Sequence, residues 1–257
     1  MTESERVLCY TVETGSFEKV WDPLIADPNF DYHLVSDSDH RSSTWRAVVP
    51  NTPALANARL RNRFLKMRYA LDHERPQESL YVDANVRIIK NPRALVDAFR
   101  SSGADIGLYR HYSHTSLTDE VSMCIRRGKV AHPQSALDEL ALYEREGMPG
   151  DVGVWEGSVI LKNHSSKKLK EAMNEWWDLY SRFQTRDQFS LPFVIWKHGL
   201  EVFDLDDHTP GREHYFVRLQ HSEAGLKNRL ARYLQARAPE NKMWGALHRL
   251  LSWMNPR

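Results

Sequence analysis

The 257-residue sequence is short of several things, and each shortage removes a class of protein. It holds two cysteines, Cys9 and Cys124, both inside apolar segments and without metal-ligand or redox spacing. A disulfide framework is therefore excluded, and a reducing, cytoplasmic setting is the simpler expectation. No apolar run approaches the length of a membrane span. The polar opening, MTESER, lacks the charged-then-apolar order of a secretory signal. There is no internal repeat, no low-complexity tract, and no dense cluster of Asp and His able to hold two metal ions, which disfavours a metal-dependent phosphohydrolase. Net charge is also scarce, at +1, and no nucleic acid partner is expected.

What is present is an ordinary globular composition, 41% hydrophobic and 27% charged, on a chain long enough to bury a full core. Short apolar runs, RVLCYTV, DYHLVSD, SLYVDA, ADIGLY and GSVILKN, read as strands. Between them, Leu60, Phe64, Met67 and Leu71, then Leu169, Met173, Trp176 and Tyr180, recur at helical spacing. This alternation predicts an α/β fold with a mostly parallel central sheet flanked by helices.

In such sheets ligands gather where the strands end, because loops and helix N-termini converge there. Thr11, Glu13 and Gly15 follow the first run, Ser36 and Asp37 the second, Asp83 and Asn85 the third, and Asn163 and His164 the strand before the Trp-containing helix. Each alone is explained as a cap or turn residue; four strand ends together favour a site. Within LYVDANVRII, an Asp closing an apolar strand needs a partner or a cation, since an unpaired buried carboxylate is costly. Asp83 with Asn85 two residues on supplies one carboxylate and one neutral carbonyl for a divalent ion. Arg59, Arg63 and Lys66 share a flank of the preceding helix, suiting either a solvated face or phosphate recognition. In TRDQFSLPF, Thr185 and Gln188 have capping-box spacing, which places Asp187 in the first turn of a helix.

Taken in order, YTVETGSFE, YHLVSD, RNRFLKM, LYVDANVRI, WEGSVILKNH and TRDQFSLPFVIWK resemble the glycosyltransferase-like domain shared by bacterial proteins and plant proteins of mucilage and cell-wall synthesis. The resemblance covers about Val7 to Leu205. It implies a GT-A-like fold, a nucleotide-sugar donor, a glycan or glycoconjugate acceptor, and Mn2+ or Mg2+ as cofactor. It puts Thr11 and Gly15 in the first donor-binding loop, Asp37 near the nucleoside, Arg63 and Lys66 against the phosphates, and Asp83 with Asn85 on the metal. Asp187 becomes the first choice for a catalytic carboxylate and Glu156 the second, as base or acceptor-orienting group. Gln188 and His164 fall on the acceptor side, and His221 leads His208 and His214 as the third metal ligand. A noncatalytic nucleotide- or sugar-binding protein on the same fold is the alternative function, since fold does not fix activity.

The expected catalytic domain is 1–221, and 222–257 forms a helical appendage. That tail carries seven basic residues against Glu223 and Glu240. Leu226, Leu230 and Leu234 make one apolar stripe; Met243, Trp244, Leu247, Leu250, Leu251 and Met254 make another, with Pro239 between them. Packing onto the catalytic domain or a second subunit is one reading. A peripheral contact with anionic membrane, anchored by Trp244 and Trp253, is the other.

Overall fold

The computed structural model describes residues 6–50, 52–72, 77–113, 115–211, 213–221 and 226–254. Of the tail stripes, the side chains of Leu226, Leu251, Trp253 and Met254 lie outside what is described.

The centre is a seven-stranded sheet in the order β3-β2-β1-β4-β7-β6-β8. Its strands are β1 (Val7–Glu13), β2 (Phe30–Ser36), β3 (Arg46–Val48), β4 (Glu78–Val82), β6 (Ile106–Arg110), β7 (Trp155–Asn163) and β8 (Val202–Asp204). All neighbours pair in parallel except β7, which runs antiparallel to both β4 and β6. A second sheet pairs β5 (Val86–Ile88) with β9 (Phe216–Arg218). The mostly parallel sheet expected of a GT-A-like fold is the one observed.

β1 is buried along its whole length, which is why it reads as an apolar run without polar alternation. Its side chains still divide by the period of two: Leu8, Tyr10 and Val12 face one core, Val7 and Cys9 the other. The first core is closed by α1 (Ala58–Arg68), α3 (Leu117–Arg126), α4 (Pro133–Arg145), α5 (Lys167–Phe183) and α6 (Asp187–His198) through residues such as Met67, Val121, Ala136, Trp176 and Phe193. The second is covered by α2 (Arg93–Ser102), through Leu95, Val96 and Phe99, and by the small sheet. Both cysteines are buried and free.

Local signals start the helices that matter here. The Asn57 side chain accepts the Leu60 amide at 2.9 Å to begin α1, and Ser166 accepts that of Leu169 at 3.1 Å to begin α5. Gln184, left-handed at φ 50°, ends α5 and turns the chain directly into α6. The expected capping box there does not form: Arg186 is the N-cap and its side chain makes no capping bond. The Thr185 hydroxyl instead donates to Glu139, a fully buried carboxylate on α4. A fully buried carboxylate without donors is costly, and Thr185 supplies one.

The tail begins with α7 (Leu226–Arg237), which is docked on the body. Ala236 meets Val217 and Leu219, Arg232 pairs with Glu18 and donates to the Lys19 carbonyl, and Arg87 reaches Glu240 at 3.0 Å. From α8 (Lys242–Met254), Trp244 packs edge-on to Tyr233, with ring centroids 5.8 Å apart. Met243 and Leu250 remain 60% and 56% exposed, so these two members of the stripe are uncovered in the single chain. Among the described residues no helix is long and apolar enough to cross a membrane.

Candidate active site

The site is built where β1 and β4 end and β7 begins. Lys66 lies on the inner flank of α1 and is 2% exposed. Its Nζ donates to Asp187 Oδ2 at 2.6 Å and stands 3.5 Å from Asp83 Oδ1, with the rings of Tyr81 and Trp176 at 5.3 and 5.9 Å. Asp187 is the first residue of α6, where the helix dipole also favours its charge. Arg63 Nε lies 3.3 Å from Asp187 Oδ1. Burial pushes the Asp187 carboxyl up, but Arg63 and Lys66 outweigh it and hold the group well below the usual carboxylate range.

Gly157 forms the floor beneath this pair. A Cβ there would stand 3.1 Å from Lys66 Nζ and 3.8 Å from Asp187 Oδ2, so any larger residue would press on the Lys66 ammonium. Asp83 is oriented by the Tyr81 hydroxyl, which donates to its Oδ1 at 2.7 Å. Asn85 is buried, with Nδ2 donating to the Leu219 carbonyl at 3.0 Å, a bond that fixes the amide and leaves Oδ1 as its acceptor. His221 Nδ1 lies 2.8 Å from Glu18, and that bond, offsetting burial, raises the imidazole above its ordinary value with Asp83 contributing. Lys66, Asp83, Asn85, Glu156, Asp187 and His221 all line one cleft of about 560 Å³. Arg63 and His221 also line an adjoining cleft of about 530 Å³ beneath the loop after β1, with Glu13, Thr14 and Asn62.

Residues 5–207 match the family described as TOD1/MUCI70, glycosyltransferase-like domain. The chain belongs to this family. No curated protein matches it in sequence. Among solved structures it is similar to mouse xyloside xylosyltransferase 1 in its apo form, at 12% identity and a TM-score of 0.43, over 78% of this chain and 85% of that one. It is also similar to the apo bifunctional glycosyltransferase WbbM, at 10% identity and a TM-score of 0.47, over 78% of this chain and 38% of that one. A third is the galactosyltransferase LgtC in complex with donor and acceptor sugar analogs, at 7% identity and a TM-score of 0.42, over 73% and 70% of the two chains. At these values the likeness says nothing of activity.

Of the residues expected from this family's pattern, Arg63, Lys66, Asp83, Asn85, Glu156, Asp187, Gln188 and His221 come together. Four do not. Thr11 is buried inside β1 and lines neither cleft; Glu13 and Thr14, closer to the strand's end, take that place. Gly15 and Asp37 bind each other, the Gly15 amide donating to Asp37 Oδ1 at 2.8 Å. Burial raises the Asp37 carboxyl, but this amide and Arg61 outweigh it and lower it overall, so the pair braces two loops beside the cleft rather than facing into it. His164 is at the wrong end of the sheet. Because β7 is antiparallel, its last residues meet the start of β4, and His164 Nε2 sits 2.8 Å from Ser79 Oγ.

The same reversal delivers the first residues of β7, Glu156 and Gly157, to the site. Glu156 is held by Arg218, which also donates to Ser158 Oγ at 2.6 Å. Arg218, Gly157, Tyr81 and Glu18 escaped the sequence reading. Only Gly157 left a trace there, as a glycine inside a strand. Arg63 and Lys66, expected to face the phosphates, are both in contact with Asp187, and Arg63 also lines the adjoining cleft.

Proposed function

We propose that this chain is a metal-assisted glycosyltransferase that moves a sugar from a nucleotide-sugar donor to a glycan or glycoconjugate acceptor. The observation that carries this reading is the Lys66 bridge between Asp83 and Asp187 over Gly157, which joins a cation-binding edge to a buried carboxylate in one cleft. In the reaction the acceptor oxygen bonds to the anomeric carbon, the donor C–O bond breaks with its electron pair on the diphosphate, and the hydroxyl proton passes to that diphosphate or to solvent. Asp187, so weakly basic, suits hydrogen bonds to sugar hydroxyls and stabilisation of cationic character at the anomeric carbon better than proton abstraction. Glu156 lines the same cleft, and its carboxylate would orient the acceptor. Arg63, shared by both clefts, stands where charge grows on the leaving group.

The residues present fit a divalent cation. Asp83 offers a carboxylate, Asn85 has its carbonyl end turned from Leu219, and Glu18 holds His221 in the carboxylate–imidazole arrangement that leaves the other ring nitrogen for a metal. Among the described residues no trio of His, Cys, Asp or Glu stands together as a metal site, so tight binding would need oxygens from the nucleotide. Asp83, Asn85 and His221 would hold Mn2+ or Mg2+, which when bound supplies charge for the departing diphosphate.

A thermal-shift screen of nucleotide sugars with and without Mn2+ tests the reading. A ligand at one hundred times its Kd stabilises the fold by about 2.7 kcal/mol. A metal-dependent shift, followed by sugar transfer to added acceptors, is the expected result. A shift without transfer across an acceptor panel points to the noncatalytic binding protein, and no shift removes the nucleotide-sugar reading.

A further inference from the structure

The far side of the larger cleft carries charge that the donor chemistry does not use. Six Arg or Lys side chains line it against four carboxylates, and each carboxylate already has a partner. Asp187 and Asp83 meet Lys66, Glu156 meets Arg218, and Glu120 meets His111 at 3.7 Å and the Cys124 thiol at 3.2 Å. Left over are Arg127 and Lys129, both exposed and with no ion pair among the described residues, and Arg186, whose one side-chain bond is to Gln188 at 3.3 Å. Arg127, Lys129 and Arg186 line this cleft together with Cys124. Beside them Tyr112, 72% exposed, stacks on His111 with ring centroids 5.1 Å apart and planes at 28°.

Exposed aromatic faces take the apolar face of a sugar ring, and guanidinium groups take carboxylates or phosphates through paired charge-assisted bonds. From this combination, and resting on the glycosyltransferase reading, we infer that the acceptor is an acidic saccharide. One of its rings stacks on Tyr112, and its carboxylate or phosphate is bound by Arg127, Lys129 and Arg186. Like-charged side chains left unpaired on a cleft wall repel one another, and an anionic acceptor removes that cost on binding.

The test uses the full chain and titration calorimetry. The probes are an oligouronate trisaccharide against its uncharged methyl ester, a hexose 6-phosphate against the free hexose, and a nucleoside diphosphate with Mn2+. The expected result is that at least one anion binds about tenfold or more tightly than its neutral counterpart, the worth of one charge-assisted bond. Which anion does so separates carboxylate from phosphate. That preference should shrink with added salt and fall about tenfold in Arg127→Gln/Lys129→Gln, with nucleoside diphosphate binding unchanged. Tyr112→Ala should weaken the acid and its ester alike. Equal affinity for acid and neutral sugars, or a preference untouched by the double substitution, overturns the acidic acceptor and leaves the donor reading standing. Failure of the nucleoside diphosphate to bind at all removes the donor reading, and the acceptor inference with it.

Discussion

Lys66 and Asp187, 121 residues apart in the chain, meet at 2.6 Å between Nζ and Oδ2, and this contact joins α1 to the first turn of α6. Removing Lys66 leaves Asp187 charged and buried with only the longer Arg63 contact. Lys66→Met should therefore lower stability by about 3 kcal/mol in urea unfolding and abolish transfer. Asp187→Asn should abolish transfer with a smaller stability loss, because Lys66 keeps Asp83. Equal stability losses for the two would show that the pair is not the anchor described here.

Asp83→Ala removes the one carboxylate of the proposed cation edge. Its fold should survive, since Lys66 remains paired to Asp187 and Tyr81 loses only one acceptor. Transfer should vanish, together with the Mn2+-dependent part of nucleoside diphosphate binding. Near-normal turnover in purified Asp83→Ala would sink the metal assignment.

His221 should impose a pH dependence on that same metal effect. An imidazole ligates only when neutral, and the Glu18 bond raises its proton affinity above the ordinary value of 6.5. Metal-enhanced nucleotide binding should therefore grow as pH rises through a midpoint above 6.5. In Glu18→Gln the midpoint should fall, and in His221→Gln the dependence should disappear. An unchanged profile in both variants removes His221 from the ligand set.

Glu139 predicts a dependence of stability itself. Burial pushes its carboxyl up to about 7 from 4.5, against the opposing bonds from Thr185 and Tyr143. The native state then holds a proton that the unfolded chain has released, so stability should fall as pH rises from about 4.5 to about 7, by about 3 kcal/mol in all. Glu139→Gln keeps a partner for Thr185 and should flatten that slope and stabilise the protein at pH 8. Unfolding midpoints for both proteins across this range, if parallel, would rule the group out.

Much of this molecule follows from local pattern. The apolar runs of β1, β2, β4 and β7, the core stripe of α1, and Asp187 in a first helical turn were legible because burial periodicity and strand or helix ends are properties of short segments. Asp83 was legible for the same reason, as a carboxylate closing an apolar strand. The direction of β7 was not. An apolar strand reads alike whichever way it runs, and only the path of the connections into the sheet sent Glu156 and Gly157 to the site and His164 to the opposite edge. Thr185 looked like a cap by spacing, yet its partner was decided by where α4 brought Glu139. The pairing of Lys66 with Asp187, and the lack of an ion pair at Arg127 and Lys129 among the described residues, likewise belong to the tertiary structure alone. Whether a charge is satisfied depends on which groups share its buried space, and distance along the chain carries no record of that.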